Sequence, residues 1–372
     1  MIVTVTAKIK IMPTDRQIEA LHQTMLAYRQ GCNLVSGVVF NSSELKQTAL
    51  HRMTYQILRS TFGLRSQMAQ SVMKTVIARY KTIRSNGHEW TCVQFKKPEY
   101  DLVWNRDYSL NAQLFSVNTL QGRIKVPFVA KGMEAYFDGS WTFGTAKLVW
   151  KKRKWFLHIP VSKEIGVPGL KSIEQVAGID LGINFIATVY GSDGKTVFFR
   201  GGELKRKRAN YKRLRSELQR KQTPSSRRRL KQIGQRETRW MTHVNHQVSK
   251  ALVSHFGANT LFVLEDLTGI RGATEKTRLK DRYVTVSWAF HQLRKMVEYK
   301  AQLAGSITIA VDPKHTSQEC PVCGHTAKEN RDKAKHLFRC RDCGYTSNDD
   351  RIGAMNLYLK GKQYLLQGAG VA

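Results

Sequence analysis

The residues best equipped for chemistry in this chain are four cysteines and three acids. Cys320 and Cys323 are separated by sixteen residues from Cys340 and Cys343, which gives two Cys-x-x-Cys pairs. Four thiolates in two close pairs satisfy one tetrahedral zinc, because each short knuckle turns its two sulfurs toward a common point. Four incidental or buried cysteines are the alternative. Gly324 and Gly344 follow the second cysteine of each pair, where a knuckle turn needs positive φ. Asp349 and Asp350 come directly afterwards and open an apolar run through Ile352, Met355, Leu357 and Leu359, which predicts a helix. The zinc ribbon thus reads as an insertion that delivers Asp350 to a site whose other members lie earlier.

Those other members are acids at the ends of apolar runs. Asp180 follows Val176-Ala177-Gly178-Ile179, and Glu265, with Asp266 and Leu267 behind it, follows the apolar residues 260–264. A carboxylate within an apolar strand is costly unless it is paired or bound to metal, although an Asp capping the next turn is the alternative here. Asp180, Glu265 and Asp350 form the kind of trio that phosphodiester hydrolysis requires. Such carboxylates hold two Mg²⁺ ions about 4 Å apart, one activating water and the other stabilising the leaving oxygen. Mg²⁺ prefers oxygen ligands and keeps several waters, which suits carboxylates better than His or Cys. No single acid is a specific signal; their combination with the ribbon and the order of elements is.

That order must place them. From residue 178 onward the patterns read three short strands, a helix, a strand, a helix, a strand, the ribbon and a last helix. The strands are 176–182, 186–190, 196–199, 260–264 and 306–311, and the second helix is residues 287–303 with Trp288, Phe290, Leu293, Met296, Val297 and Tyr299. This is the order of an RNase H-like fold, a mixed sheet with helices on its faces. Earlier in the chain, Val3, Val5, Ala7, Ile9 and Ile11 alternate like a half-buried strand. Thr14 and Gln17 form a capping box for a helix carrying Ile18, Leu21, Met25 and Tyr28, and further helices fit residues 44–59 and 66–84. Strand signals then cover residues 90–161, including 111–116, 123–129 and a hairpin whose arms, 146–150 and 155–161, flank Lys151-Lys152-Arg153-Lys154. The expectation is a small β-barrel of residues 1–12 and 86–165 with a helical insert at 13–85. A linker at 166–175 leads to a nuclease domain of 176–311 and 347–372, with the ribbon at 312–346.

The chain has 372 residues, 41% of them hydrophobic, and a net charge of +33. Such a field attracts polyanions, with nucleic acid the usual one. No segment is apolar enough to span a bilayer, so no membrane partner is expected. The cysteine usage, with Cys32 and Cys92 unpaired in pattern, and the lack of a signal peptide predict a cytoplasmic protein. Residues 205–239 hold fifteen Lys and Arg against two acids, Glu217 and Glu237. Thr223-Pro224 restarts a helix there, with Leu230, Ile233, Trp240, Val244 and Val248 on one stripe. Its other side would be a cationic track for phosphate, through Arg206, Arg208, Arg213, Arg227, Arg228, Arg229 and Lys231.

In four stretches the chain resembles the TnpB family, insertion-sequence proteins related to type V CRISPR effectors. They are Gly178-Ile179-Asp180-Leu181-Gly182, Leu264-Glu265-Asp266-Leu267, residues 316–324 around the first cysteine pair, and residues 348–357. The family's last motif usually reads Asp-x-Asn-Ala-Ala; here it is Asp350-Arg351-Ile352-Gly353-Ala354, so Ile352 replaces the Asn. Asp349 is the competing assignment for the acid. The resemblance implies an α+β multidomain protein: a RuvC-type nuclease domain with inserted zinc ribbon, and a wedge-like barrel carrying a recognition insert. It implies a prokaryotic, nucleoid-associated RNA-guided DNA endonuclease that uses structural zinc and catalytic Mg²⁺. The implied partners are a guide RNA encoded near its own gene and a double-stranded DNA target. Two other readings remain open, a nuclease-inactive RNA-guided DNA-binding regulator and a DNA transposase of the same fold.

Overall fold

A computed structural model describes the chain except residues 98, 112, 183, 267–289 and 370–372. The expected helix start at Ser287 and Trp288 and the residue Leu267 therefore lie outside the described residues. Two compact units emerge, Ile2–Glu164 and Ile165–Ala372, the second also taking Met1.

In the first unit, β1 (Ile2–Ile11) buries Val3, Ala7, Ile9 and Ile11 and turns its Thr and Lys residues outward, as the alternation dictates. It pairs antiparallel with both β5 (Gly122–Val129) and β8 (Lys154–Glu164). The eight-stranded sheet also contains β2 (Glu99–Leu102), β3 (Tyr108–Asn111), β4 (Leu114–Thr119), β6 (Thr142–Phe143) and β7 (Ala146–Lys151), curling toward a barrel in the order β2-β7-β8-β1-β5-β4-β3. The run 111–116 is thus not one strand: the turn between β3 and β4 falls within it. Lys152 and Arg153 both take positive φ at the tip of the β7–β8 hairpin, the backbone that a two-residue turn demands. Between β1 and β2 come α1 (Asp15–Ser42), α2 (Gln47–Ser60) and α3 (Ser66–Ser85). Thr14 and Gln17 make the reciprocal capping box. These helices have no separate core, because Leu21, Met25, Val72 and Tyr80 join Ile9, Leu148 and Ile159 in one apolar cluster.

In the second unit a five-stranded sheet runs β11-β10-β9-β12-β13. Its strands are β9 (Gln175–Asp180), β10 (Phe185–Gly191), β11 (Thr196–Arg200), β12 (Thr260–Glu265) and β13 (Ile307–Val311). The first three form an antiparallel meander, and β12 and β13 continue in parallel beside β9. One face, with Ala177, Ile179, Phe262 and Leu264, packs on α5 (Pro224–Phe256) and α6 (Phe290–Leu303). The opposite face, with Val176, Leu261 and Val263, packs on Leu357 of α7 (Asp349–Ala369). Each such side chain removed from water contributes about 1.5–3 kcal/mol. Gly178 lets α7 lie directly on β9: a Cβ there would meet the Ala354 carbonyl oxygen at 2.2 Å. Leu359, expected on the apolar stripe of α7, is instead exposed, since Gly353, Ala354, Leu357 and Gly361 face the sheet.

Candidate nuclease and metal sites

Strand alternation decides where the acids point. Side chains at 176, 178 and 180 of β9 share the face covered by α7, as do 261, 263 and 265 of β12. The two strands are parallel and in register, with Leu264 beside Ile179, so Glu265 falls beside Asp180 one residue later. Both acids thus lie at the carboxyl ends of adjacent strands on one face. The first turn of α7 brings Asp350 to them. Gly353, on the next turn, touches Asp180, and Asp350 Oδ1 lies 3.9 Å from where a Cβ on Gly182 would sit.

The electrostatics are those of crowded, buried carboxylates. Burial holds the Asp180 carboxyl well above its ordinary range, and the charges of Glu265 and Asp350 push it the same way. Burial also raises Glu265, partly offset by the hydrogen bond it accepts from Thr316 Oγ1 at 2.5 Å. For Asp350, burial and the charge of Asp349 raise the carboxyl against the opposing influence of Arg331, His336 and Lys205. Asp350 Oδ2 is buried with no hydrogen-bond partner. An orphaned anionic oxygen among raised carboxyls fits a divalent cation, whose charge would reverse each of these shifts. The three acids do not gather into a cluster as tight as that of His336, Asp349 and Asp350, whose donor atoms lie within 4.8 Å of one another.

Sequence reasoning missed the groups around them. Arg331 donates from Nε to Asp349 Oδ2 at 2.8 Å and reaches Asp350 Oδ1 at 3.9 Å, and His336 Nδ1 lies 3.5 Å from Asp349 Oδ1. Asp349, 1% exposed, is therefore the anchor of the ribbon beside the site. Thr188, on β10 directly opposite Asp180, is 1% exposed with an unpartnered hydroxyl. Of these residues only Asp349 carried a sequence signal, as the competing assignment for the acid.

The ribbon is the three-stranded sheet of β14 (Arg331–Asp332), β15 (Leu337–Arg339) and β16 (Thr346–Asn348). Its two knuckles repeat one pattern: Cys320 N donates to the His325 carbonyl and Gly324 N to that of Cys320, as Cys340 N does to Tyr345 and Gly344 N to Cys340. Gly324 and Gly344 have φ of +77° and +73°, as the knuckles required. All four sulfurs lie within 4.8 Å of one another, with Cys320–Cys343 at 3.6 Å and Cys323–Cys340 at 3.5 Å. Tetrahedral Zn–S bonds of ~2.3 Å imply sulfurs about 3.8 Å apart, so this set fits zinc. Ile352 packs on Cys320, Phe338 and Cys340, an apolar contact between α7 and the ribbon in the place where the family motif has Asn. Asn356 Nδ2 adds donations to the carbonyls of Thr316 and Glu319.

The basic run forms α4 (Gly202–Lys221) and the start of α5, with Thr223 capping and Pro224 at the first turn. Arg206, Arg213, Arg227, Arg228, Arg229 and Lys231 are exposed there. Arg208 corrects the sequence reading. It is 2% exposed and lies against Glu237 of α5, with Nε 3.8 Å from Oε1, and Arg215 shares that carboxylate. Its charge joins two helices and is not presented to phosphate. Among the described residues no helix is long and apolar enough to cross a membrane.

In comparison with known proteins, two regions match described family models. Residues 158–280 match the family OrfB_IS605, described as "Probable transposase", and residues 290–357 match the "Cas12f1-like, TNB domain". A TnpB-like protein of Methanocaldococcus jannaschii is 29% identical over 248 residues, covering 64% of this chain and 86% of that protein. The putative RNA-guided DNA endonuclease InsQ of Escherichia coli K12 is 31% identical over 234 residues, 58% of this chain and 56% of that one. The CRISPR-associated endodeoxyribonuclease Cas12f1 of Sulfoacidibacillus thermotolerans is 28% identical over 259 residues, 63% of this chain and 58% of that one. The chain thus spans less than two thirds of the length of these last two. In fold it is similar to CasPhi-2 (Cas12j) bound to crRNA, with a TM-score of 0.56 at 10% identity over 98% of both chains. The mini-RNA-guided endonuclease Cas_phi3 gives 0.55 at 13% identity, over 98% of this chain and 93% of that one.

Proposed function

We propose, from the premise that this chain is a TnpB-family protein, that it is an RNA-guided DNA endonuclease of an insertion sequence with a RuvC-type, RNase H-like site. The observation that carries the reading is the register that sets Glu265 beside Asp180 on the face where α7 brings Asp350. Asp180, Glu265 and Asp350 would hold the catalytic Mg²⁺, which when bound supplies an activated water and charge neutralisation at the leaving oxygen. The chain's own part is to fix three carboxylates on two strands and a helix. Thr316 orients Glu265 through its hydrogen bond. Arg331 holds Asp349, and with it the start of α7, against the ribbon. The four cysteines would hold a structural zinc that keeps the ribbon, and so Arg331, in shape.

Specificity in this reading comes from a guide RNA, encoded beside the protein's own reading frame, pairing with one strand of a double-stranded DNA target. Exposed cations such as Arg227, Arg228, Arg229 and Lys231 supply phosphate contacts without reading sequence. The test is to purify the chain with the RNA that accompanies it, sequence that RNA, and offer a matched duplex with Mg²⁺. A discrete RNA and cleavage of the matched duplex alone are expected. Binding of RNA and target without cleavage would establish the regulator reading instead. Joining of DNA ends, the reaction suggested by the description of the matched OrfB_IS605 family, would establish a transposase.

A further inference from the structure

A cavity of about 650 Å³ lies in the first unit, between α1, α3 and the residues leading into β2. Its far wall is built from chain outside any strand. Asn33 accepts from Phe95 N at 2.7 Å, Ser36 Oγ donates to the Val93 carbonyl at 2.7 Å, and Tyr80 OH accepts from Val93 N at 3.2 Å. Side chains of α1 and α3 thus hold residues 93–95 as a fixed rail, and Lys96 and Lys97 follow at the rim.

The charge is one-sided. Lys147 meets two carboxylates, Glu99 at 3.1 Å and Asp101 at 3.5 Å, so this trio carries one net negative charge. Arg29, Arg79, Lys96 and Lys97 also line the cavity, and among the described residues none has a carboxylate within ion-pairing distance. These four cations outweigh the single net negative charge of that trio, repel each other and favour an anion among them. The floor is polar and already ordered: Tyr28 OH lies 2.9 Å from Thr75 Oγ1, which lies 2.6 Å from Asp101 Oδ2. Phe95 and Val93 add apolar surface to the wall. Cavities of roughly 300–1,000 Å³ with apolar walls and a few fixed polar groups are the usual form of small-ligand sites.

We propose that this cavity takes one unstacked nucleotide of a bound single strand, its phosphates held by the four cations and its base against the Phe95 wall and the polar floor. The inference rests on the nucleic-acid reading above and adds a discrete site to it. A base inside a duplex is stacked on both sides and cannot enter, so the cavity should act on single strands only.

The experiment titrates the full chain, without Mg²⁺, with a single-stranded RNA of about 20 nucleotides, the DNA of the same sequence, and the fully paired RNA duplex, each at least one site size long. Ala78 is exposed on α3 and lines the cavity, so Ala78→Phe fills it while leaving every charge in place. Thr82→Trp, also at an exposed lining position, is the independent filling variant. Both should weaken single-strand binding at least tenfold, on the order of a lost base–aromatic stack with its phosphate contacts, and leave duplex binding within about twofold. Replacing Arg29, Arg79, Lys96 and Lys97 together by Ala should lower the single-strand salt slope by up to about three. Loss confined to RNA or to DNA identifies the strand that uses the site. Unchanged single-strand affinity in both filled variants would overturn the proposal, leaving only surface charge. No cleavage is read, so this site and the nuclease reading stand or fall separately.

Discussion

Gly353 lies against Asp180 so closely that a Cβ on the glycine would sit 3.0 Å from both Cγ and Oδ2 of the acid. The helix that carries Asp350 therefore has a gap where it passes the Asp180 carboxylate. Gly353→Ala needs that carboxylate to give by only a few tenths of an ångström. Ala is also the residue that the last motif of the TnpB family usually has here, so cleavage should stay within about tenfold of the parent. Gly353→Leu overfills the gap and should remove nearly all cleavage, with a loss of stability, because the Asp180 carboxylate cannot clear a side chain of that size. Rates beside thermal melting check this; a Gly353→Leu protein that cuts at the parent rate would show that Asp180 need not hold its place.

The four sulfurs are spaced for one zinc. Metal analysis should find about one zinc per chain, and Cys340→Ser should lose it together with much of the ribbon's stability, since a structural zinc site contributes folding energy directly. Because Ile352 packs on Cys320 and Cys340, cleavage should be lost with the zinc. A Cys340→Ser protein with full zinc would contradict this.

Asp349 is buried against Arg331 and carries the ribbon's contact with α7. Asp349→Ala should cost about 1–3 kcal/mol by leaving the guanidinium without its carboxylate. The sequence alone leaves Asp349 as the competing acid. The structure keeps the effect on cleavage below that of Asp350→Ala but adds a lowered Tm. Melting and cleavage of the two variants side by side decide it, and an unchanged Tm would remove Asp349 from its anchoring role.

Asp180, Glu265 and Asp350 all have carboxyls raised by burial. Each binds its proton more tightly folded than unfolded, so each contributes stability at low pH. That contribution is lost as pH rises from the unfolded value near about 4 through the raised folded values. Divalent cation should restore it. Mg²⁺ is expected to raise Tm at neutral pH and to do little near about pH 4, with most of the shift gone in Asp180→Asn. Equal shifts at both pH values would place the Mg²⁺ elsewhere.

Local patterns carried much of this architecture. The cysteine spacing, Gly324 and Gly344, the Thr14 cap, the tip of the β7–β8 hairpin and the runs ending at Asp180 and Glu265 are all short-range signals. Contacts between distant segments were not legible. A count of cations cannot tell which turn of α4 faces Glu237, so Arg208 read as a phosphate contact although it is buried. Arg331, His336 and Thr188 carry no local signature; only the ribbon's return and the β9–β10 register bring them to the acids. Gly31 sits inside α1 because Leu58 and Leu64 close on the space a side chain would fill, a contact that no pattern around Gly31 announces.

The central claim is that Asp180, Glu265 and Asp350 act as one site. The most direct measurement is cleavage of a matched double-stranded target with guide RNA and Mg²⁺, run beside binding, for each single Ala variant. Each should lose nearly all cleavage while RNA and target binding persist, and double variants should lose little more, because parts of a unit fail together. If Asp180→Ala or Glu265→Ala cuts at near the parent rate, the site is not there.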